Sequence, residues 1–276
     1  LADSYLFAVL NKYEFADEDF VTKAKQMAKK SLEINPRSSE AIAALGLATL
    51  LESDIQRSIS LYRKALRFNP NNATAHHRLA TLLAYGGKLK EATREIELAQ
   101  VKDPVSYPIN NLAVYYFMLD RKPDKAIGYY QRLLNVNDTP TEELEIRLSI
   151  IYEQKREYRK SIKILQSALR NSTNNNYALL TLCRIFFKTD ENRKAHELLD
   201  QAFKRDLDDE SKYVLATVYA YLEKTEKVLG ILKTIEPNST YLLFLENDFN
   251  FDPIRNDPEF GKFVKNLRMK FAGRRV

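Results

Sequence analysis

Side chains that commonly carry out chemistry are scarce in this sequence of 276 residues, which has one cysteine and three histidines. Cys183 and His196 would form a thiol–imidazole pair if the fold brought them together. Cys183, however, follows a leucine at a place where Gly, Ala or Ser recurs elsewhere in the chain. A free cysteine packs well as a small apolar residue, so we expect Cys183 to be buried and inert.

Metal and phosphate chemistry find no support in the sequence. A single cysteine excludes an internal disulfide and a cysteine-based zinc site. His76 and His77 are adjacent, and on a helix they would point about 100° apart, so they cannot face one metal ion together. The sequence has no glycine-rich phosphate loop, no His-Glu-x-x-His motif and no Gly-x-Ser-x-Gly motif. We expect no catalytic residue, no metal site, no cofactor and no enzyme activity.

The net positive charge of the chain comes from its C-terminal segment. Lys and Arg number 43 against 37 Asp and Glu, which gives a formal net charge of +6. The segment 261–276 carries six of these bases and no acid, so the remainder of the chain is balanced. A nucleic-acid-binding protein usually carries clustered basic charge across its folded face. We therefore expect no direct DNA contact by the body of the protein.

The sequence has no segment that suggests a membrane span. Its longest apolar run, from Ala41 to Leu51, is too short to cross a bilayer. The sequence starts with Leu1 and shows no signal-peptide pattern, and we interpret it as an excised or processed segment.

The structural elements that would position a functional site recur along the chain with a period close to 34 residues. One series consists of small residues with one exception: Ala24, Ser58, Ala92, Ala126, Ser161, Ala195 and Val228. A second series pairs leucine with a small residue: Leu45-Gly46, Leu79-Ala80, Leu112-Ala113, Leu148-Ser149, Leu182-Cys183 and Leu215-Ala216. Larger apolar residues follow both series at offsets of three or four, which place them on the same helix face. Each period therefore predicts two amphipathic helices, A and B, whose small residues let the two backbones approach closely.

This pattern resembles the tetratricopeptide repeat, with Leu-Gly or Leu-Ala in helix A, Ala in helix B and Pro at the repeat end. The resemblance implies an all-α, right-handed superhelical solenoid of about seven helix pairs over residues 2–240. The repeats would end near 36, 70, 104, 138, 173, 207 and 240, with a first helix A from Ser4 to Tyr13. Residues 241–271 would form a capping segment and helix, and 272–276 a basic tail.

The C-terminal region carries a second resemblance. The stretch Phe251-Asp-Pro-Ile-Arg-Asn-Asp-Pro-Glu-Phe260 resembles the end of the repeat region in bacterial winged-helix regulators of the CadC/ToxR type and in class III adenylate cyclases. This resemblance implies the sensory or partner-binding half of a signalling protein, with a tethered effector domain upstream. It also implies a location on the periplasmic side of a bacterial inner membrane, with the cytoplasm as the alternative.

The concave groove lined by the A helices is the predicted partner-binding site. Counting from each leucine–small pair selects His77, Arg78, Asn110, Asn111, Phe117, Arg147, Glu153, Arg184, Phe187, Tyr213 and Tyr221. Arg147 and Arg184 would hold a carboxylate or phosphate, and the aromatic residues would stack against a peptide. Alternatively, some of these residues belong to the core between repeats or to a plain solvated surface.

Two other functions remain open on this sequence. A free-standing scaffold or co-chaperone would use the same groove without any effector domain. A nucleic-acid binder would use the basic tail, and its affinity would depend steeply on salt. The two-carboxylate clamp for chaperone C-termini is disfavoured, because Ala43, Leu47, Thr81 and Val114 stand where that clamp needs basic or amide side chains.

Overall fold

The computed structural model describes residues 18–52, 54–136, 141–236 and 239–273. The predicted first helix A, residues 4–13, lies outside them, as does most of the basic tail. In the ranges just given the chain is helical and contains no strand. The helices are α1 (Glu18–Ile34), α2 (Ser39–Leu51), α3 (Ile55–Phe68), α4 (Ala73–Tyr85), α5 (Leu89–Lys102), α6 (Tyr107–Leu119), α7 (Pro123–Val136), α8 (Glu142–Gln154), α9 (Tyr158–Asn171), α10 (Asn176–Lys188), α11 (Asn192–Phe203), α12 (Asp209–Tyr221), α13 (Thr225–Leu232) and α14 (Pro258–Gly273).

The chain divides into two compact units. Of the described residues, the first unit contains 18–109 and Gly273, and the second contains 110–272. In the first unit α2 pairs with α3 and α4 with α5. In the second unit α8 pairs with α9, α10 with α11 and α12 with α13, and successive A helices such as α10 and α12 also contact one another. These consecutive helix pairs confirm the predicted all-α, solenoid-like fold.

The small residues lie where helices A and B meet. All seven members of the first series, from Ala24 to Val228, are 1% exposed or less. The hydroxyl of Ser58 donates a 2.7 Å hydrogen bond to the carbonyl oxygen of Gly46, and Ser161 makes the same bond to Ser149 at 2.8 Å. Each bond joins a helix B to its own helix A across twelve residues, and it can form only because neither backbone is held off by a large side chain.

Most of the core residues that lie between these contacts are residues of the 34-residue sequence pattern. Leu182 and Ala195 are 4% and 0% exposed, as the helix register requires. Tyr62 and Ile96 fill the space behind the small residues and are completely buried.

The turn from helix A to helix B has one backbone conformation in five repeats. A residue with positive φ stands in each of these turns, at Gly87, Arg121, Arg156, Asp190 and Glu223, with φ between 54° and 74°. The residue after it donates a hydrogen bond to a carbonyl five residues back, as Lys88 does to Leu83 at 2.8 Å. This bond closes the C-terminal turn of helix A and directs the chain into helix B.

Side chains cap the A helices at their other ends. Ser38, Asn72, Asn175 and Asp208 each accept a hydrogen bond from the backbone amide three residues later. These caps satisfy amide groups that have no partner inside the helix, and they fix where each repeat begins.

The chain beyond α13 forms two 3₁₀-helices, Thr240–Phe244 and Phe249–Ile254, and then α14. Asp257 caps α14 ahead of Pro258 by accepting from the amides of Glu259 and Phe260. Asp252 has no such role ahead of Pro253, because Pro253 lies inside the second 3₁₀-helix, whose cap is Asp248. Phe260 packs against Phe251 with ring centroids 5.5 Å apart.

Candidate protein-interaction surface

The predicted groove residues fall into two groups when their exposure is measured. Side chains that keep part of their surface in solvent are His77, Arg78, Asn111, Arg147, Tyr213 and Tyr221. Side chains that are buried are Asn110, Phe117, Glu153, Arg184 and Phe187, with exposures from 0% to 4%. His77 and Arg78 belong to the first unit and the others to the second.

Phe117 and Phe187 are packing residues in the structure, which differs from the stacking surface that the sequence predicts for them. The ring of Phe117 stacks on Tyr129 with centroids 5.3 Å apart and planes 5° apart. Phe187 meets the ring of His196 edge-on at 5.1 Å. Both rings therefore pack inside their own repeats, where a helix A contacts its helix B.

Arg184 is occupied by partners inside the protein. Its Nε and Nη2 donate to the two carboxylate oxygens of Glu153 at 2.9 and 2.7 Å, and its Nη1 donates to Thr217. Lys188 donates to the same carboxylate at 2.7 Å. The predicted pairing of Arg147 with Arg184 as an anion fork is therefore corrected, since this guanidinium joins α8, α10 and α12 within the core.

Burial alone would raise the pKa of Glu153, but Arg184 and Lys188 lower it to about 2. The carboxylate is thus charged at neutral pH with three donated hydrogen bonds around it. Sequence reasoning placed Glu153 on the groove by its helix position. It did not find the pairing, because the two partners are 31 residues apart and follow no local pattern.

Arg147 keeps a partly exposed guanidinium. Its Nη1 donates to the side-chain oxygen of Asn111 at 2.8 Å, and it forms an ion pair with Glu143. The guanidinium also lies over the ring of Tyr115, 5.2 Å from the centroid. Arg147 therefore presents positive charge beside an aromatic ring on the A-helix face of the second unit.

A segment of the same chain covers part of this face. We call residues Thr240–Ile254 the strap; they include both 3₁₀-helices. Asp248 accepts a hydrogen bond from the hydroxyl of Tyr213 on α12 at 2.9 Å. Phe244 meets Tyr115 on α6 edge-on at 5.2 Å, and Phe249 lies 5.5 Å from the Lys188 ammonium on α10. The strap thus contacts three A helices of the second unit.

The polar groups under the strap are poorly solvated. Burial raises the pKa of Tyr115 and of Tyr213 well above the ordinary value, and the neighbouring Asp248 raises both further. Burial likewise raises the pKa of Tyr177 and of Glu210. The tyrosines therefore face the strap as neutral hydroxyl groups that can donate hydrogen bonds at any physiological pH.

Sequence reasoning treated this part of the chain as a cap and did not assign it to the groove. The available signal was its composition, since four aromatic residues and three acidic residues lie between Tyr241 and Asp252. Such a composition suits contact with tyrosines and arginines, but nothing in the 34-residue period points to it.

The first unit presents a different set of features. Burial and the neighbouring Arg78 lower the pKa of His77 to about 4, so this imidazole is neutral at pH 7. A separate groove of about 570 Å³ lies between helices α3 and α5. Leu79 and Leu83 form its floor, and charged side chains line its sides: Arg63, Arg67, Glu91 and Glu95.

Among the residues that the structure describes, no three His, Cys, Asp or Glu side chains lie close enough together to hold a metal ion. Cys183 donates to the carbonyl oxygen of Ala195 at 3.2 Å, and burial raises its pKa to about 12. Across the same described ranges, no helix combines the length and apolar character needed to traverse a bilayer.

The helix pairs, their small-residue contacts and their 34-residue period are the features of a tetratricopeptide-repeat fold. Comparisons with known proteins agree with this fold. Residues 61–94 match the family model described as the tetratricopeptide repeat. A crystal structure of a tetratricopeptide repeat protein from Parabacteroides merdae superimposes with a TM-score of 0.64 at 15% identity, covering 97% of this chain and 99% of the other.

Two curated relatives share longer alignments with the sequence. The type IV pilus assembly protein PilF of Pseudomonas aeruginosa is 32% identical over 146 residues, which is 49% of this chain and 54% of PilF. The BBSome complex member BBS4 homolog of Drosophila melanogaster is 24% identical over 200 residues, 72% of this chain and 36% of that protein. The chain therefore spans about a third to about half of the length of these relatives.

Proposed function

We propose that this protein is a non-catalytic scaffold whose A helices hold a segment of a partner protein during the assembly of a complex. The observation that carries the proposal is the strap, because a segment of the chain lies across the A-helix face and is held there by side chains. The names of two relatives support the assembly role, since one belongs to a complex and the other to pilus assembly.

The partly exposed groove residues are the proposed contacts with the partner. His77 and Arg78 would serve the first unit, and Asn111, Arg147, Tyr213 and Tyr221 the second. Arg147 suits an acidic group, because a guanidinium bonds a carboxylate in a planar, charge-assisted way. The tyrosines offer rings with a polar end, a combination enriched at protein interfaces.

A photo-crosslinking experiment tests this proposal. A photoreactive phenylalanine analogue replaces Tyr221 on the A-helix face of the full chain, and the same analogue replaces Phe203 on helix B α11 as the control. Phe203 is 55% exposed and Tyr221 is partly exposed, so both probes are accessible. We expect a discrete protein adduct in cells from position 221 and not from position 203. Equal adducts at both positions, or none at position 221, would refute the use of this face.

Arg147 allows a second test. Arg147→Ala should weaken the adduct at position 221 without changing the helical circular dichroism, because the side chain is partly exposed. Arg184 does not suit this test, since Arg184→Ala leaves the buried carboxylate of Glu153 without its fork.

A second candidate is the sensory half of a bacterial signal-transducing regulator on the periplasmic side of the membrane. The resemblance of the stretch from Phe251 to Phe260 favours it. In that case an effector domain would be tethered upstream and the partner would alter its activity. The full reading frame tests this candidate: a winged-helix or cyclase domain followed by a membrane span, ahead of this chain, would support it.

A further inference from the structure

We propose that the strap is a resident ligand of the second unit, and that a partner segment with aromatic side chains around a buried carboxylate binds by taking its place. The inference deepens the proposed function, since it names the chemistry of the partner segment, and it rests on that function. Its evidence is the way in which the strap is held.

The strap is organised by hydrogen bonds within itself. The amides of Asp248 and Phe251 donate to Phe244 and Asp248, at 3.0 and 3.2 Å. The guanidinium of Arg255 donates to the carbonyl oxygens of Glu246 and Asp248 and to the carboxylate of Asp252. These bonds shape residues 244–255 without using the repeats, as in a ligand that is pre-organised before it binds.

Apolar anchors of the strap fit between tyrosines of the repeats. Phe244 is 5% exposed and contacts the rings of Tyr115 and Tyr116, at 5.2 and 6.3 Å between centroids. Leu242 and Leu245 are 4% and 1% exposed. Edge-to-face contacts of this type favour an aromatic side chain at this place in any occupant.

The carboxylate of Asp248 gives the site its polarity. Asp248 is 8% exposed; one oxygen accepts from the Tyr213 hydroxyl, and the other accepts from the amide and side chain of Asn250. A nearly buried carboxylate of this kind is stable only with donors fixed around it. The Tyr213 hydroxyl is therefore a specificity contact for an acidic residue in the occupant.

The outer contact of the strap is weaker than the inner ones. Arg121, in the turn after α6, pairs with Asp252 at 2.7 Å, and both side chains are about half exposed. An exposed ion pair adds little to binding, because water and salt screen it. Release would begin at this edge and leave the Tyr213 contact until last.

Tethering explains why a partner must match the strap closely. A segment attached by a short linker competes at an effective concentration on the order of millimolar. A partner segment therefore displaces the strap only if it binds the same anchors, or if the strap has first been loosened.

The experiment uses the full chain and a fluorescent peptide of residues 240–257. The wild-type chain should bind this peptide poorly, because its own strap occupies the site. The Asp248→Asn chain should bind it at least tenfold more tightly, because its tethered strap has lost the carboxylate contact. The Asp200→Asn chain, changed at an exposed aspartate of α11 outside the strap, is the matched control and should stay within threefold of wild type.

The partner side of the contact can be checked in the same assay. Adding Tyr213→Phe to the Asp248→Asn chain should remove the gain, since the peptide's carboxylate then lacks its donor. Phe244→Ala is the second loosening variant, to be used if Asp248→Asn loses its helical circular dichroism.

Each outcome decides the proposal. No peptide binding by either loosened chain, equal binding by all chains, or loss of the helical spectrum in both variants would overturn it and make the strap part of the core. The peptide assay needs no partner protein. If it fails while the adduct at position 221 forms, the proposed function stands and the resident-ligand inference falls.

Discussion

The ring of Tyr62 lies 3.1 Å from the point that a β-carbon on Gly46 would occupy. Tyr62 is completely buried in helix B of the second repeat, and Gly46 lies in helix A of the same repeat. The hydroxyl of Ser58 bonds to the carbonyl of Gly46 beside this contact. One repeat is thus closed by a glycine, a serine and a tyrosine acting together, and a larger residue at position 46 must push the two helices apart.

Gly46→Leu should therefore lower the free energy of unfolding by about 1–3 kcal/mol, because overpacking strains both helices. Urea unfolding followed by circular dichroism measures the change. Gly128→Leu is the matched control: Gly128 is also helical, but a β-carbon added there would meet nothing within 4 Å, so the stability of this variant should hold or rise. A similar loss at both glycines would contradict the packing described for position 46.

The turn between helices A and B offers a second test at two adjacent glycines. Gly87 has φ of 74°, whereas Gly86 has φ of −78°. Gly87→Ala should lower the unfolding free energy by about 1–2 kcal/mol, because a β-carbon disfavours the left-handed region. Gly86→Ala should change it by less than about 0.5 kcal/mol, since an added β-carbon meets only ordinary contacts there. Thermal melting of both variants compares them directly.

The same turn predicts a stabilising change in another repeat. Arg156 has φ of 60° and an exposed side chain. Arg156→Gly should raise the unfolding free energy by up to about 1 kcal/mol, because glycine relieves the left-handed strain and this gain exceeds its added freedom in the unfolded chain. A fall in the melting temperature would show that the turn is not strained.

Glu153 provides a test of the buried ion pair. Glu153→Gln should cost about 3–5 kcal/mol, because Arg184 then stays in the core without its counter-charge. Glu157→Gln, at a carboxylate paired on the surface with Lys155 and Lys160, should change stability little. Comparable losses in the two variants would mean that burial does not distinguish these pairs.

The contribution of the Glu153 carboxylate to the free energy of unfolding depends on pH with a defined sign. The pKa of Glu153 falls from 4.5 to about 2 on folding, so the unfolded chain takes up the proton first as the pH drops. The stabilisation is therefore complete above pH 4.5 and is lost as the pH falls toward 2. The difference in unfolding free energy between wild type and Glu153→Gln should shrink across this window and stay constant above it.

His77 is a buried base whose pKa is also lower in the folded protein. Burial and Arg78 lower its pKa from 6.5 to about 4, so the unfolded chain binds a proton that the folded chain refuses. Stability should be complete above pH 6.5 and decline as the pH falls from 6.5 to 4. In His77→Gln the urea midpoint of unfolding should therefore vary less with pH over this range than in the wild type. Identical pH dependence in the two proteins would exclude a buried neutral His77.

Much of the fold followed from residue spacing. The period placed the small residues at the contact of helices A and B, and even Val228, which breaks the small-residue rule, is completely buried in the expected slot. Gly87 is a residue type typical of a left-handed turn, but the equivalent turns use Arg121 and Glu223, whose side chains give no sign of a left-handed backbone.

The candidate site was predictable only in part, for a physical reason. Position on helix A decides which way a side chain points, and this identified Arg147 and Tyr213. Whether that side chain meets water depends on residues far along the chain. Arg184 is buried by Glu153 and Thr217, each more than 30 residues away, and Tyr213 is covered by Asp248. No 34-residue pattern encodes these distant pairings.

The strap joins Phe244 to Tyr115 and Asp252 to Arg121, the latter pair 131 positions apart, whereas the repeats themselves contact near neighbours. An open array of repeats unfolds piecemeal, fraying from its ends. A segment that contacts several repeats at once prevents this, because the first repeat to unfold must also break its contacts with the segment. We expect the second unit to unfold in one concerted transition, and shortening the strap should restore stepwise unfolding from the ends.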